Sequence, residues 1–458
     1  MKITTSYTVP IKDQLILEGR GAKEKVTGYR QVDDRLMKET ASVCLDALKC
    51  CADIWLKEWD TLSSIPTKQE KGKISRKRAA DIMIHSTASS KASYPEFDRN
   101  FPFMPAYTRR SVIADSLGLV SSYCSNRANW EKMKPDERGE EPKMGFPDRY
   151  ELTFYDQERK TCDLDKGIIG LKLYNGKEWG WYYFRIRPSD AKHISKLKET
   201  RKMLSPVVKK VKGRYQIRFS FQETRDLVSD EEPIGYRILS ADLGINAPAS
   251  WCVMEADGTV RDRGVIHLTC EEDRLRHMIN RKRMYQQAGK RSKSVYRMVR
   301  NANERLSVDT CREIMKIAVL YNVDCIVFEH LDRKGKVMGR KYRERIHLWR
   351  ANDIQKRVEL QAHRHGMRIS RVCAWGTSKL AFDGSGSVLR GEKAGLSTYS
   401  MCRFQNGKIY NCDLSAALNI GARYFLREYA KRKGCPTLPK TPQRTYADLV
   451  QLVHSMAA

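Results

Sequence analysis

The sequence predicts a multidomain α+β protein. An N-terminal antiparallel β module, barrel-like, has a block of helices inserted between its strands, and an α/β domain carrying a small insert follows. Three observations predict this. The hydrophobic period is two over residues 1–12, 3.6 within 33–131, and two again from Gly145. From Pro233 onward, short apolar strands alternate with helical stretches, as in α/β domains. A length of 458 residues suits two to four domains, not one.

Residues 1–12 read as a strand. Residues 33–59 read as an amphipathic helix with Leu36, Val43, Cys44, Ala47, Leu48, Cys51, Ile54 and Trp55 on its apolar side, capped by Asp33 or Asp34. A second helix spans 109–131, and a Pro/Gly/Glu-containing run from Lys132 to Lys143 is a linker. Strands follow at Glu151–Tyr155, Ile168–Tyr174, Trp179–Ile186 and Tyr215–Phe221, with a hairpin turn at Asn175-Gly176. Beyond Pro233, strands at Ile238–Ala241, Ala249–Met254 and Thr259–Ile266 lead into two basic helices, about 271–288 and 295–321. Then come a strand at Asp324–Glu329, a helix at about 344–365 and a strand at Met367–Val372. A Gly/Ser-rich segment covers 376–411, and a helix runs from near Asp413 to about Lys431. The Pro-rich tail from Gly434 to Arg444 precedes one last short helix.

Lys and Arg number 85 against 55 Asp and Glu, a formal charge of +30. Such an excess calls for a polyanion. No stretch approaches the ~20 apolar residues of a spanning helix, and no basic amphipathic anchor stands out. Nucleic acid is therefore the expected partner, with no membrane. Met1–Pro10 lacks the apolar core of a signal peptide. The 13 cysteines sit mostly in apolar runs such as Val43-Cys44-Leu45, as reduced core cysteines do. A cytoplasmic protein is expected.

Three acids occupy positions where α/β folds place chemistry. Asp242 ends one apolar strand, Glu329 ends another, and Asp413 opens a helix. Clustered carboxylates resist joint ionisation, and hard divalent cations such as Mg²⁺ or Mn²⁺ relieve the repulsion. Two ions about 4 Å apart can clamp the attacking and leaving oxygens of a phosphodiester. Taken singly, Asp413 also reads as an N-cap, Asp242 as a turn residue before Gly244, and Glu329 as half of a buried salt bridge. Spacing alone does not bring the three together.

Ser-Ala-Asp-Leu-Gly-Ile-Asn at 240–246, Ile-Val-Phe-Glu-His-Leu at 326–331 and Asp-Leu-Ser-Ala-Ala-Leu-Asn-Ile at 413–420 resemble the three RuvC motifs of the TnpB family and compact type V CRISPR effectors. Arg345-Ile-His-Leu-Trp349 and Thr377-Ser378 match the family's segment between the second and third motifs, and Arg110-Ser-Val-Ile-Ala-Asp resembles its recognition lobe. The resemblance implies that Asp242, Glu329 and Asp413 are catalytic and hold two Mg²⁺ (or Mn²⁺) ions in an RNase H-like RuvC domain. It implies an RNA-guided DNA endonuclease that binds guide RNA, recognises a short target-adjacent motif on double-stranded DNA, and works in the prokaryotic cytosol.

Under that resemblance, 1–30 and 144–232 form a wedge β-barrel, 31–143 a helical recognition lobe, 233–374 and 412–432 the RuvC-like domain, 375–411 a zinc-finger-like insert, and 433–458 a flexible tail. The sequence departs from the family at the insert. Leu380 and Asp383 stand where the first Cys pair belongs, and only Cys402, with Gln405, remains of the second. Four ligands are needed for structural zinc, so a zinc-free, nucleic-acid-binding hairpin is expected. Ser415 also replaces the usual Asn.

Arg281, Lys282, Arg283, Lys290, Arg291, Lys293, Arg297 and Arg300 crowd the two helices after Asp242. A one-signed face favours contact with a nucleic-acid backbone over simple solvation. Arg109 and Arg110 are assigned the same role in the helical lobe. Trp179, Trp181, Tyr182 and Tyr183 are candidates for stacking on bases or for barrel core. Two other classes stand beside the guided nuclease: a guided DNA-binding repressor that no longer cuts, and an unguided RNase H-like transposase or resolvase. One small chain facing a ~20-bp heteroduplex leaves a monomer or a homodimer on one RNA open.

Overall fold

The computed structural model describes residues 1–18, 25–68, 72–88, 90–154, 163–229, 231–244, 247–331, 350–432 and 444–457. Tyr155, Ile245-Asn246, Arg345–Trp349 and most of the Pro-rich tail lie outside the described residues. The chain is a mixed α/β protein with several sheets, dividing into two compact units, Lys2–Glu223 and Thr224–Ala458 with Met1.

The first unit begins with β1 (Lys2–Pro10), β2 (Asp13–Glu18) and β3 (Lys25–Arg30). Helices α1 (Asp34–Lys57), α2 (Trp59–Ser64), α3 (Arg76–Ile84), α4 (Glu96–Asn100) and α5 (Ala106–Lys132) follow. The unit closes with β4 (Leu152–Thr153), β5 (Ile168–Tyr174), β6 (Trp179–Arg185), α6 (Pro188–Thr200), β7 (Lys202–Met203), β8 (Val207–Val211) and β9 (Arg214–Thr224). The expected barrel does not close among the described residues. Its strands form two sheets, β1–β9–β8–β4 with β7 on β9, and β3–β2–β6–β5. The chain passes from one sheet to the other just after Pro10, which has no N–H for a ladder. There the Ile11 amide donates to the Tyr215 carbonyl (3.0 Å) and the Lys12 amide to the Arg185 carbonyl (2.8 Å).

The inserted helices share one apolar core with both sheets. Cys44, Leu48 and Trp55 of α1 pack in the same cluster as Val112 and Val120 of α5, Leu171 of β5 and Phe219 of β9. The Trp55 indole N–H, wholly buried, donates to Ser116 Oγ at 2.8 Å. Asp33 is the cap of α1, accepting from the Arg35 and Leu36 amides. Helix α6, which opens on Pro188 at its first turn, is an element the hydrophobic pattern did not single out.

The second unit is built on a five-stranded sheet. Its strands are β10 (Ile238–Asp242), β11 (Ala249–Met254), β12 (Val260–Ile266), β13 (Cys325–His330) and β14 (Arg368–Cys373), in the order β12–β11–β10–β13–β14. β10 pairs antiparallel with β11 and parallel with β13, and β13 pairs parallel with β14. The helices are α7 (Thr269–Gln287), α8 (Lys293–Leu320), α9 (Ala351–Arg364), α10 (Cys412–Lys431) and α11 (Tyr446–Ala457). Strand alternation decides which helices cover which face. Leu239, Ala241, Ile326 and Phe328 point to α8 and α9, where Ile314 and Val358 meet them. Ile238, Val327, Cys252 and Met254 point to α10 and α11, where Leu418, Phe425 and Leu449 meet them.

The segment expected to be a hairpin is a small three-stranded sheet of β15 (Leu389–Arg390), β16 (Met401–Arg403) and β17 (Ile409–Asn411). Its own apolar cluster holds Ala381, Cys402, Phe404 and Cys412. Asp383 accepts from the Ser385 amide (3.1 Å) and from Asn406 Nδ2 (2.9 Å), and so pins the turn by hydrogen bonds. The eleven cysteines among the described residues are free thiols. Among those residues no helix is long and apolar enough to cross a membrane.

Helix α10 lies against the sheet because its contact residues are small. A Cβ on Gly421 would meet Ser240 Oγ at 3.1 Å and Met254 Sδ at 3.2 Å. Replacing Gly421 with Val should lift the helix from β10 and destabilise this unit by about 1–3 kcal/mol. Denaturant unfolding against the wild-type chain measures the loss.

Candidate active site

β10 is buried from Ile238 to Ala241 and ends in Asp242. Asp242 shares parity with Ile238 and Ser240, so its side chain lies on the α10 face. Ser240 fixes that face to the helix, its Oγ donating to the Ala417 carbonyl at 2.8 Å. β13 is buried from Cys325 to Phe328 and then reaches Glu329, which shares parity with Cys325 and Val327 on the same face. The parallel register aligns Ala241 with Phe328. The next residues, Asp242 and Glu329, therefore stand level at the carboxyl ends of adjacent strands. The chain turns sharply after Asp242: a Cβ at Gly244 would lie 2.7 Å from the Ala247 carbonyl, so only glycine fits.

Asp413 comes from the first turn of α10. The cap of that helix is Asn411, whose Oδ1 accepts from the Asp413 amide (2.9 Å) and the Leu414 amide (3.0 Å). The Asp413 carboxylate is thereby released from capping. All three acids are half-buried.

Their electrostatics link Asp242 to the other two acids. Burial pushes the Asp242 carboxyl well above the usual carboxylate range, and the charges of Glu329 and Asp413 push it further. Burial also raises Glu329, against the opposing effects of a Thr377 hydrogen bond and the Arg423 charge. Burial raises Asp413, and Arg390 opposes it. Arg390 opposes the shift at Asp242 as well. It reaches the acids from β15 of the insert, with its guanidinium donating to the Ser378 carbonyl.

Other residues that the sequence pattern left unassigned surround the acids. Thr377 Oγ1 donates to Glu329 Oε1, and Gln355 Nε2 donates to the Glu329 carbonyl oxygen at 2.9 Å. Ser250 lies directly across the β10–β11 ladder from Asp242, 1 % exposed, and its hydroxyl has no hydrogen-bond partner among the described residues. Arg423 is buried, and its Nη1 donates to the Cys373 and Trp375 carbonyls at 2.8 Å each. Only Thr377 carried a sequence signal, through the Thr-Ser pair. Arg390, Ser250 and Gln355 are ordinary residues in ordinary runs until the fold brings them here.

Among the described residues, no group of three or more His, Cys, Asp or Glu side chains forms a ready-made metal cage. That is compatible with Mg²⁺, which binds through one or two carboxylates and keeps waters or substrate phosphates as its other ligands. Half-buried carboxylates, two of them level on adjacent strands and with Asp242 under the charge of the other two acids, fit a hard cation on two counts. They supply the right donor type, and they lose repulsion when the ion binds.

The basic residues fall into two groups. Arg281, Arg283, Lys290, Arg291, Lys293, Arg297 and Arg300 are exposed on α7, on α8 and in the turn between them. Lys282 is half-buried, with its Nζ 5.7 Å from the centre of the Tyr296 ring. Arg110 is exposed, over the Tyr107 ring at 5.3 Å. Arg109 is a correction. It is 7 % exposed, and its Nε donates to Asp81 Oδ1 at 2.9 Å, so its charge serves the interior of the first unit and not a nucleic-acid backbone. The aromatic run does not divide by strand parity. Trp179 and Trp181 share a face of β6, yet Trp181 is exposed while Trp179, like Tyr182 of the other face, packs against the core.

A family model described as the Aq_aa04 family matches residues 22–175, within the first unit. No curated protein matches the chain. Among solved structures, the chain is similar to a Cas12f1–sgRNA–target DNA complex at 14% identity, covering 99% of each chain, with a TM-score of 0.46. It is similar to CasPhi-2 (Cas12j) bound to crRNA at 9% identity, covering 96% of this chain and 99% of that one, with a TM-score of 0.43. A CRISPR-Cas12f ternary complex is similar at 11% identity over 86% of this chain and 82% of that one, with a TM-score of 0.31.

Raised carboxyls cost stability when ionised: their contribution is favourable at low pH and is lost as pH rises through the folded-state value. Asp242→Asn should therefore lessen the fall in melting temperature that the metal-free protein shows as pH rises. Added Mg²⁺ should stabilise the wild type more than the variant. Calorimetric scans with and without the ion measure both effects.

Proposed function

We propose that the protein is an RNA-guided DNA endonuclease whose RuvC-like site comprises Asp242, Glu329 and Asp413. One observation carries the reading. Asp242 and Glu329 stand level at the ends of adjacent strands, Asp413 opens the helix packed on that face, and the charges of Glu329 and Asp413 both bear on Asp242. A purely structural role would pair each acid with a buried cation or trim it away. The resemblance of residues 240–246, 326–331 and 413–420 to RuvC motifs, and the net charge of +30, support the same reading.

Bound divalent ions would supply Lewis-acid activation of water and would offset charge on the leaving 3′-oxygen. The chain's own residues provide the frame. Asp242 and Glu329 offer carboxylate oxygens from adjacent rigid strands, and Asp413 offers its own from the helix opposite. Arg390 brings a positive charge beside two of these acids, suited to a scissile phosphate. The exposed cations of α7 and α8 would hold a nucleic-acid backbone by charge, without reading sequence. Binding of guide RNA and a target-adjacent motif belongs to the first unit in this reading, with 1–30 and 144–232 as the wedge and 31–143 as the recognition lobe.

Purification of the protein from its native locus, followed by sequencing of the bound RNA, is the direct test. One abundant RNA with a variable end matching DNA is expected. No RNA, or random fragments, would move the protein to an unguided RNase H-like enzyme. With a target in hand, Asp242→Ala should abolish cleavage while guide and target binding persist. A wild-type protein that binds but never cuts would instead be a guided repressor. Because protons compete with metal at raised carboxyls, half-saturating Mg²⁺ should fall as pH rises. Charge reversal at Arg291 or Arg297 should weaken binding on all sequences and reduce the salt slope by about one per contact. An unchanged slope would return those residues to a solvated face.

A further inference from the structure

We propose that Thr377 is a positioning residue that sets the orientation of the Glu329 carboxylate for metal binding. The inference rests on the metal-site reading above and deepens it. Glu329 Oε1 accepts a hydrogen bond from Thr377 Oγ1, and among the described residues Thr377 is the side chain that hydrogen-bonds this carboxylate. One oxygen is thus tied down and the other left for a cation. A free Glu side chain samples several rotamers, and a ligand oxygen that wanders by an ångström loses affinity; partners just outside the ligands prevent this.

Thr377 can hold the carboxylate because it is itself held. It is 2 % exposed. Its hydroxyl oxygen stands between Glu329 Oε1 and the Ala374 carbonyl, the latter at 3.0 Å. Its main-chain carbonyl accepts from Asn419 Nδ2 at 3.0 Å, and the same Nδ2 donates to the Leu380 carbonyl at 3.0 Å. Asn419 is fully buried, and its Oδ1 accepts from the Tyr446 amide at 3.0 Å. It lies on α10, the helix that presents Asp413. One helix therefore carries one acid directly and steadies a second through Asn419 and Thr377.

The decisive comparison is Thr377→Val, which keeps the shape and loses the hydroxyl, against Thr377→Ser, which keeps the hydroxyl. Mn²⁺ binding to the full chain without nucleic acid is measured by calorimetry and by electron paramagnetic resonance, with a thermal melt as the check on folding. Thr377→Val should weaken Mn²⁺ binding about 10–100-fold and raise the Mg²⁺ needed for half-maximal cleavage. Thr377→Ser should stay close to wild type. In a Glu329→Gln background, Thr377→Val should add nothing. Wild-type binding in Thr377→Val, equal loss in Thr377→Ser, or an undiminished effect in the Glu329→Gln background would each overturn the proposal. Should Thr377→Val lose its melting transition, Thr377→Ala carries the same comparison, since it also lacks the hydroxyl. If Glu329→Gln itself leaves Mn²⁺ binding unchanged, the metal-site reading falls. If Glu329 matters and Thr377 does not, only the present proposal falls.

Discussion

Asp242 and Glu329 end neighbouring parallel strands, and neighbouring strands lie about 4.8 Å apart. Two carboxylates are thus placed side by side, partly withdrawn from water, with the charge of Asp413 bearing on Asp242 from a helix. Left alone, such an arrangement opposes folding. Much of the second unit offsets that cost. The buried runs Ile238–Ala241 and Cys325–Phe328 anchor both strands from both faces, through separate apolar clusters. Arg390 and Arg423 bring positive charge, and Thr377 brings a hydrogen bond.

Helix α10 organises this arrangement. It is buried on nearly every side, which its Ala-rich sequence and Gly421 permit. Asn411 caps it, so Asp413 can face the other acids. Ser240 stitches it to β10, while Asn419 and Arg423 reach from it to the chain segment that follows β14. The insert then returns Arg390 to the acids from outside the sheet. Its cluster of Ala381, Cys402, Phe404 and Cys412 is a small apolar core of its own.

The first unit follows a different logic. Its helices and its two sheets share one core, so residues 33–131 do not have a separate interior. Within it, neighbours in sequence take opposite roles. Arg109 is buried against Asp81, and Arg110 is exposed over Tyr107. Helical rotation of ~100° per residue accounts for the difference, and no feature of the Arg-Arg pair itself announces it.

Local chemistry alone determined a good deal. Periodicity gave the strands around Asp242 and Glu329, the long helices, and the Asn175-Gly176 turn, where Gly176 has φ +94°. These are short-range properties, set by side-chain alternation and backbone sterics within a few residues. The positions of the three acids at strand and helix ends were legible for the same reason. Only the tertiary structure decided that they meet, because the β10–β13 register and the docking of α10 join residues 87 and 171 positions beyond Asp242. It also decided that the β module forms two sheets, since closure depends on long-range hydrogen bonds that alternation does not encode. Arg390, Ser250 and Thr377 acquire their places beside the acids the same way: a residue's neighbours across a fold are set by packing, and a linear pattern carries no record of them.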